Sequence, residues 1–221
     1  MPLLDLYDDL TARLRSSGDY IWPLVLRVIM FWEFWESGLV KLKGENWFAT
    51  VPWAEWQVGF PFPFSLMSQD LNWFAATWGE LVLSIMILFG LFTRFAAFSL
   101  LVLTVVAMVA VHWPNDWDSL ATLWQGYVIT SKGYGNYKLP LLFMIILLPL
   151  VFYGGGKISF DQLLLKFTAR GDELTERLGD LTAAGLGFLV LGVATVYAIA
   201  PVGWVFLGLG VICVAAPRFL R

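Results

Sequence analysis

The sequence predicts an all-α integral membrane protein: a four-helix transmembrane bundle, a C-terminal hydrophobic hairpin and interfacial amphipathic helices. Hydrophobic residues make up 59% of the 221 residues and charged residues 14%, whereas soluble domains have roughly 45–50% and about 25%. The apolar residues form long runs, and a membrane-spanning helix needs about 20 such residues. The runs cover residues 20–40, 71–92, 95–113, 139–153 and 181–217.

The first segment of the chain, residues 1–19, does not resemble a signal peptide. Acidic residues stand where a basic segment and an apolar core would be expected. Leu3, Leu6, Leu10 and Leu14 recur at helical spacing instead. This segment is therefore predicted to form an amphipathic helix on the membrane surface.

Two further segments follow the four-helix domain, which is predicted to cover residues 20–156. Residues 157–180 are interpreted as a cytoplasmic interfacial helix and linker, because Ser159 followed by Gln162 matches a helix capping box. Residues 181–221 are interpreted as a hairpin, because Pro201 removes a backbone donor near the middle of the last apolar run. A single kinked span is the alternative, and the chain then has five spans rather than six.

Orientation follows from the basic residues, which gather on the cytoplasmic side of bacterial membrane proteins. With six spans, nine of the 14 Lys and Arg residues, Arg218 and Arg221 among them, fall on the side of the N-terminus. Four fall on the opposite side, and Arg27 lies within the first span. We therefore expect a multi-pass protein of the bacterial inner membrane with a cytoplasmic N-terminus.

Several segments resemble the DoxX family of small four-helix membrane proteins. They are LRVIMFWEFWESGLVKL, GELVLSIMILFGLFTRFAA, AVHWPNDW and GNYKLPLLFMIILLPLVFYGGGKISFD. The most specific signals are Glu80 midway along the second span, the GLFTR turn and the glycine run before Ser159. The HWPNDW element and the loop after it are most similar to the HvfX-like branch, which accompanies bacterial copper-stress and peptide-maturation genes.

The resemblance implies an inner-membrane four-helix core over about residues 20–165. It also implies an accessory redox role, because family members have been linked to quinone-dependent thiosulfate oxidation and to redox-stress complexes. The hairpin after residue 181 departs from the usual four-span plan of the family.

Ionisable side chains lie within the first two spans, where each costs about 2.5–3.5 kcal/mol at the bilayer centre if it is charged and unpaired. They are Arg27, Glu33, Glu36 and Glu80. Helical rise places the three carboxylates at one level, roughly 10–16 Å below the outer surface. Lys41 lies two turns beyond Glu33 and could approach this layer from above.

Three interpretations of this charged layer stay open. The first is a structural ion-pair network between helices, with Arg27 as a member. The second is a proton or quinone site, in which a carboxyl group exchanges a proton with a bound headgroup. The third is a metal path that uses the carboxylates together with Met30, Met86 or Met108.

The single histidine, His112, closes the third apolar run and precedes a Trp-Pro-Asn-Asp turn. It is interpreted either as an interfacial anchor bonded to a loop carbonyl or as a proton-exchanging residue beneath a lid of aromatic loops. We expect one outer pocket that joins His112 to the carboxylate layer. Its candidate proton-exchanging residues are Glu33, Glu36, Glu80 and His112, and its candidate ligand-binding residues are Trp113, Asn136, Tyr137, Lys41 and Arg27.

The sequence also limits the chemistry. One histidine cannot supply a bis-His haem or an HExxH site, and Walker, GxSxG and dinucleotide motifs are absent from the sequence. We expect no metal site and no covalently bound cofactor, with quinone as the candidate ligand. The expected partners are membrane lipid and other membrane proteins or a second copy, and not nucleic acid.

Two function classes remain. The chain is at most a quinone-linked membrane oxidoreductase component, acting as an accessory in a redox-stress or copper-stress system. The competing class is a non-enzymatic scaffold, a subunit of a larger complex, or a transporter of a small molecule or metal.

Reporter fusions test the predicted orientation. Fusions at Trp56 and Gln125 are expected to report a periplasmic location and a fusion at Arg221 a cytoplasmic one, because of the bias in basic residues. A periplasmic signal at Arg221 would replace the hairpin with a single span.

Overall fold

The computed structural model describes residues 2–49, 62–114, 117–128, 135–168 and 180–219. Within these ranges the chain forms eight α-helices and no strand, which confirms the predicted all-helical class. The helices are α1 (Pro2–Lys43), α2 (Gln69–Phe89), α3 (Thr93–Ala107), α4 (Leu120–Gln125), α5 (Lys138–Tyr153), α6 (Phe160–Phe167), α7 (Asp180–Val196) and α8 (Ala200–Phe219).

Three segments of the described chain are long and apolar enough to cross a membrane. They are Gln69–Phe89, Thr93–His112 and Ala200–Pro217. Helices α5 and α7 are also apolar but shorter, and α1 is much longer and carries charged residues along its length. The chain is therefore a membrane protein.

Helix α1 runs without interruption from Pro2 to Lys43 and so passes through the predicted domain boundary at residue 19. Pro23 lies inside this helix and cannot bond the carbonyl of Asp19, four residues earlier. The backbone N–H of Lys157 donates to that carbonyl instead, at 3.2 Å. A neighbouring loop thus satisfies the group that proline leaves unpaired, and the helix continues. That its first residues lie on the membrane surface stays a prediction.

Helices α1, α2, α3 and α5 surround a common core, because α1 packs on α2, α2 on α3, α3 on α5, and α5 on α1. Its fully buried side chains include Met30, Ile87, Leu100 and Leu147. Gly38 allows α1 to approach α2 closely, since a Cβ atom there would lie 2.7 Å from Cγ of Leu81.

Helices α7 and α8 pack against each other, and α7 also contacts α3. Two glycines make this close pairing possible: a Cβ atom on Gly192 would lie 2.7 Å from Cγ of Leu207, and one on Gly210 would lie 2.7 Å from Cγ of Leu189. The predicted break in this apolar run is confirmed, with Pro201 in the first turn of α8, where a helix tolerates proline. That both helices cross the membrane stays a prediction.

Arg27 joins three elements at one end of the core. It is only 3% exposed, and it donates to the carbonyls of Ile87 at 3.0 Å and Leu88 at 2.7 Å. It also donates to Gly155 at 2.7 Å and to Ile158, in the loop after α5. The last carbonyls of a helix lack partners within the helix, and the five donors of a guanidinium can satisfy several of them.

The segment after α5 completes this Arg27 end of the protein. The carboxylate of Asp161 accepts hydrogen bonds from the backbone of Phe92 at 2.6 Å and Thr93 at 2.8 Å, where α3 begins. Ser159 caps α6 as predicted, by accepting from the N–H of Gln162 at 3.2 Å. The predicted interfacial helix is therefore bonded to the core through its first turn. Residues 169–179 of the predicted linker lie outside the described residues.

Arg27→Lys is expected to lower the free energy of unfolding by about 2–4 kcal/mol, because an ammonium cannot reach all of these carbonyls and leaves buried acceptors unsatisfied. Thermal unfolding in detergent measures this change. Arg13→Lys is the matched control, because Arg13 makes an exposed ion pair with Asp9, and its effect is expected to stay below about 0.5 kcal/mol. Equal melting temperatures for the two variants would contradict the anchoring role of Arg27.

Candidate functional site

A cavity of about 450 Å³ lies among α1, α2, α3 and α5, at the end of the core opposite Arg27. We call it the Lys41 cavity. Apolar and aromatic side chains form most of its wall, and eight polar residues interrupt them. The polar residues are Glu33, Ser37, Lys41, Asn72, Glu80, Thr104, His112 and Asn136.

An ion pair between α1 and α2 lines this cavity. The Nζ atom of Lys41 lies 2.8 Å from Oε2 and 3.0 Å from Oε1 of Glu80, and it also donates to Oγ of Ser37 at 2.7 Å. The two charged side chains are only 16% and 9% exposed. The predicted approach of Lys41 to the carboxylate layer is confirmed for Glu80.

Glu33 does not share the level of Glu80. Gly38 faces Leu81, which places Glu33 opposite residue 86, about 9 Å of helix rise beyond Glu80 towards the Arg27 end. Glu33 lines the cavity and is exposed, whereas Glu36 is exposed and lies outside the cavity lining. The predicted single level therefore fails for Glu33, because the close contact at Gly38 sets the register of the two antiparallel helices.

His112 lies in a π-helical segment, Met108–His112, that continues α3. Its last turn is closed by a hydrogen bond from the N–H of Trp113 to the carbonyl of Met108, at 2.8 Å. Such wide turns change the direction of side chains and are frequent at functional sites. The half-buried His112 lines the cavity, and in the described ranges no group bonds to its imidazole. Its backbone carbonyl, rather than its ring, meets the loop, by accepting from the N–H of Asn136 at 2.7 Å.

Three predicted ligand-binding residues lie outside the cavity lining: Trp113, Tyr137 and Arg27. The rings of Trp113 and Tyr137 pack together with 5.0 Å between centroids, and the Tyr137 hydroxyl donates to the carbonyl of Leu123 at 2.8 Å. Burial raises the pKa of Tyr137, so the hydroxyl stays protonated and remains a donor. These two rings support the loop beside the cavity, while Arg27 holds the opposite end of the core.

Comparison with known proteins identifies the family. The DoxX family model matches residues 22–113, a segment that contains α2, α3 and much of the cavity lining. An uncharacterized protein of Haemophilus influenzae is 39% identical over 155 residues, which cover 70% of this chain and 91% of that relative. The chain belongs to the DoxX family. No solved structure shows significant similarity to it.

Some of the aromatic residues that line the cavity of this DoxX protein come from the segment that connects α1 to α2. Trp47 and Phe48 follow α1 and pack edge-on against Trp73 of α2, with centroid distances of 5.7 Å and 5.1 Å. Trp53 and Trp56, further along the same segment, lie outside the described residues.

Asn72 is a cavity residue that the sequence interpretation missed. It is 7% exposed, and its Nδ2 atom is buried without a hydrogen-bond partner in the part of the chain that the structure describes. Asn72, Ala75, Ala76 and Glu80 all line the cavity, because residues at this spacing share one face of a helix. This spacing was the available signal: a second polar residue on the helix face that carries Glu80.

The chemistry available in the cavity of this DoxX protein is that of proton-exchanging and hydrogen-bonding groups in an apolar wall. A carboxylate and an ammonium contact each other, the Nδ2 atom of an amide is buried without a partner among the described residues, and an imidazole lines the wall. Across those same residues, no three His, Cys, Asp or Glu side chains converge as a metal site. The HvfX-like branch and the metal path both stay predictions.

Glu80→Gln is expected to lower the free energy of unfolding by about 1–3 kcal/mol, because it leaves the Lys41 ammonium partly buried without a counter-charge. Adding Lys41→Met to this variant should recover part of the loss, since contacting residues give non-additive effects. Unfolding of the single and double variants in detergent measures the coupling. Glu36→Gln serves as the exposed control, and strictly additive effects at Glu80 and Lys41 would show that the ion pair contributes nothing.

Proposed function

We propose that this DoxX protein binds a quinone-type ring in the Lys41 cavity and acts as an accessory component of a membrane redox system. The observation that carries the proposal is the cavity itself, at about 450 Å³ and with a mostly apolar wall. Sites for small organic ligands have volumes of about 300–1,000 Å³, with a few polar groups in an apolar lining. A two-ring quinone headgroup fits this size and this wall.

Aromatic rings supply stacking surface for a planar ligand. Phe34 and Phe143 face each other across α1 and α5 with 6.0 Å between centroids, and both line the cavity. Trp47, Phe48 and Phe64 add further rings to the wall. Offset and edge-on contacts between aromatic groups are favourable beyond the area they bury.

The exposure of two lining residues supports a ligand that enters from the lipid. Glu33 on α1 and Leu139 on α5 both line the cavity and are both exposed. Helices α1 and α5 pack against each other, so we propose that the ligand enters between these two helices. A lipid-soluble molecule can use a lateral route of this kind, whereas a hydrophilic substrate would need an opening to water.

Reduction of a quinone takes up protons together with electrons, and oxidation of a quinol releases them. Glu80, Lys41 and His112 supply groups that can exchange protons beside the ring. The electrons would come from or pass to a partner protein in the membrane, so this chain would position the quinone and manage protons. In the predicted topology, with four spans, a C-terminal hairpin and a cytoplasmic N-terminus in the bacterial inner membrane, the cavity faces the periplasmic side.

A structural role is the second candidate, and the Lys41–Glu80 pair favours it. Each member of this pair already has its partner, as expected for an interhelical contact that holds a scaffold. Helix α8 also exposes large apolar side chains, including Trp204 and Ile212 at 60% and 63%, which lipid or another subunit would cover. In this case the cavity would bind no ring.

Equilibrium dialysis of 2,3-dimethyl-1,4-naphthoquinone against nanodiscs that hold the full-length protein tests the proposal. Wild-type protein is expected to show saturable binding above that of empty nanodiscs. Ala76→Phe fills the cavity and should weaken binding at least about tenfold, as expected when a ring loses its pocket. Ala121→Phe, on the exposed face of α4, is the matched control and should bind as the wild type does. Absence of saturable binding to the wild type would favour the scaffold.

A further inference from the structure

We infer that Asn72 recognises the ligand, by hydrogen bonding to a ring oxygen that is a carbonyl in the oxidised form and a hydroxyl in the reduced form. This inference rests on the proposed function, because it concerns the same cavity. It adds a specificity-determining residue, and it requires a ring that carries an oxygen at the Asn72 end of the cavity.

The side chain of Asn72 is buried in the wall of the cavity. Asn72 is more than nine-tenths buried and lines the Lys41 cavity. Its backbone N–H is bonded to the carbonyl of Ser68 at 2.9 Å, so the backbone of this turn is satisfied. Its Nδ2 atom has no hydrogen-bond partner within the described residues and almost no exposed surface. Buried polar groups without partners are rare in native proteins and call for a specific explanation. Rotation of the amide about its Cβ–Cγ bond would turn Nδ2 towards the cavity, where a ligand supplies the missing partner.

Asn72 lies on the part of α2 that packs against α3. A Cβ atom on Gly79 would lie 3.1 Å from Cδ1 of Leu103, so these antiparallel helices meet there. That register places Asn72 opposite residue 110, roughly 3 Å of helix rise from His112. Asn72 and His112 therefore lie at similar depth, near the end of the cavity farthest from Arg27.

Small side chains form the cavity wall between Asn72 and Glu80. Asn72 and Glu80 are eight residues apart on one face of α2, a rise of about 12 Å. Ala75 and Ala76 lie between them and also line the cavity. Their small side chains leave a shallow slot along the helix. A flat ring can lie in this slot with one oxygen at the Asn72 end.

The side-chain amide of Asn72 is both a hydrogen-bond donor and an acceptor. A carboxamide donates through Nδ2 and accepts through Oδ1, so rotation of the group lets it donate to a carbonyl or accept from a hydroxyl. It can therefore bind both redox forms of one ring without a change in its own charge. The Lys41–Glu80 pair differs, because its charged atoms already bond to each other.

Asn72→Leu tests the inference, because leucine has a similar volume and cannot form a hydrogen bond. Its affinity for 2,3-dimethyl-1,4-naphthoquinone is expected to fall at least about tenfold, as sites do when a polar contact to the ligand is lost. Its affinity for 2,3-dimethylnaphthalene, which has the same rings and no oxygen, should stay that of the wild type. The melting temperature of the free protein should hold or rise, because the substitution removes an unsatisfied buried amide.

The control and a second variant complete the experiment. Thr77→Val is the matched control. Thr77 lies on the same helix, is buried outside the cavity lining, and donates its hydroxyl hydrogen bond to the carbonyl of Trp73. This variant should leave the affinity for both probes unchanged. Asn72→Ala avoids any overpacking by leucine and should show the same selective loss of quinone affinity.

Three results would overturn the inference. If the wild type prefers the quinone and both Asn72 variants keep that preference, Asn72 is not the recognition residue, while the proposed function stands. If the wild type binds no quinone, the proposed function fails and the inference fails with it. If the Asn72 variants melt at lower temperature and lose both probes equally, the residue has a structural role.

Discussion

A charged side chain among apolar helices costs free energy unless it finds a partner. The partners of two α1 cations, the buried Arg27 and the partly buried Lys41, fix how the neighbouring helices pack. Arg27 and Lys41 are 14 residues apart in α1, a rise of about 21 Å. Arg27 meets backbone carbonyls at the end of α2 and in the loop after α5. Lys41 meets the carboxylate of Glu80. Helix α1 is thus fixed to its neighbours at two points, near its middle and near its C-terminal end, by two kinds of partner.

The two ends differ in what they leave open. At the Arg27 end most polar groups have partners: Asp161 meets the start of α3, and the N–H of Lys157 meets the carbonyl that Pro23 leaves free. Among the described residues there, Oγ1 of Thr93 is buried without a partner. At the Lys41 end an ion pair lies beside a cavity, and Asn72 is buried without a partner among the described residues. Proteins give up stability mainly where function requires it. The larger cavity, with an ion pair in its wall, is what makes the Lys41 end the candidate functional site.

Apolar runs and their breaks predicted the helices, because hydrophobic length is a local property of the chain. Glu80, Lys41, His112 and Asn136 could also be predicted as cavity residues, since charge inside a span and turns at its end are visible in sequence. The remaining errors have three-dimensional causes. The assignment of Arg27 failed because the free carbonyls of other segments decide where a guanidinium binds. Glu33 was misplaced because the register depends on the contact at Gly38, and Asn72 was missed because an absent partner is visible only after folding.

The central claim is that the Lys41 cavity is a ligand site rather than a packing defect beside an ion pair. The most direct measurement is an experimental structure of the full-length protein in lipid nanodiscs, determined with saturating 2,3-dimethyl-1,4-naphthoquinone. We predict ring density between α2 and α5, with one oxygen within hydrogen-bonding distance of the Asn72 amide and the Lys41–Glu80 pair intact. A cavity closed by its own side chains, or a quinone bound elsewhere on the protein, would contradict the account.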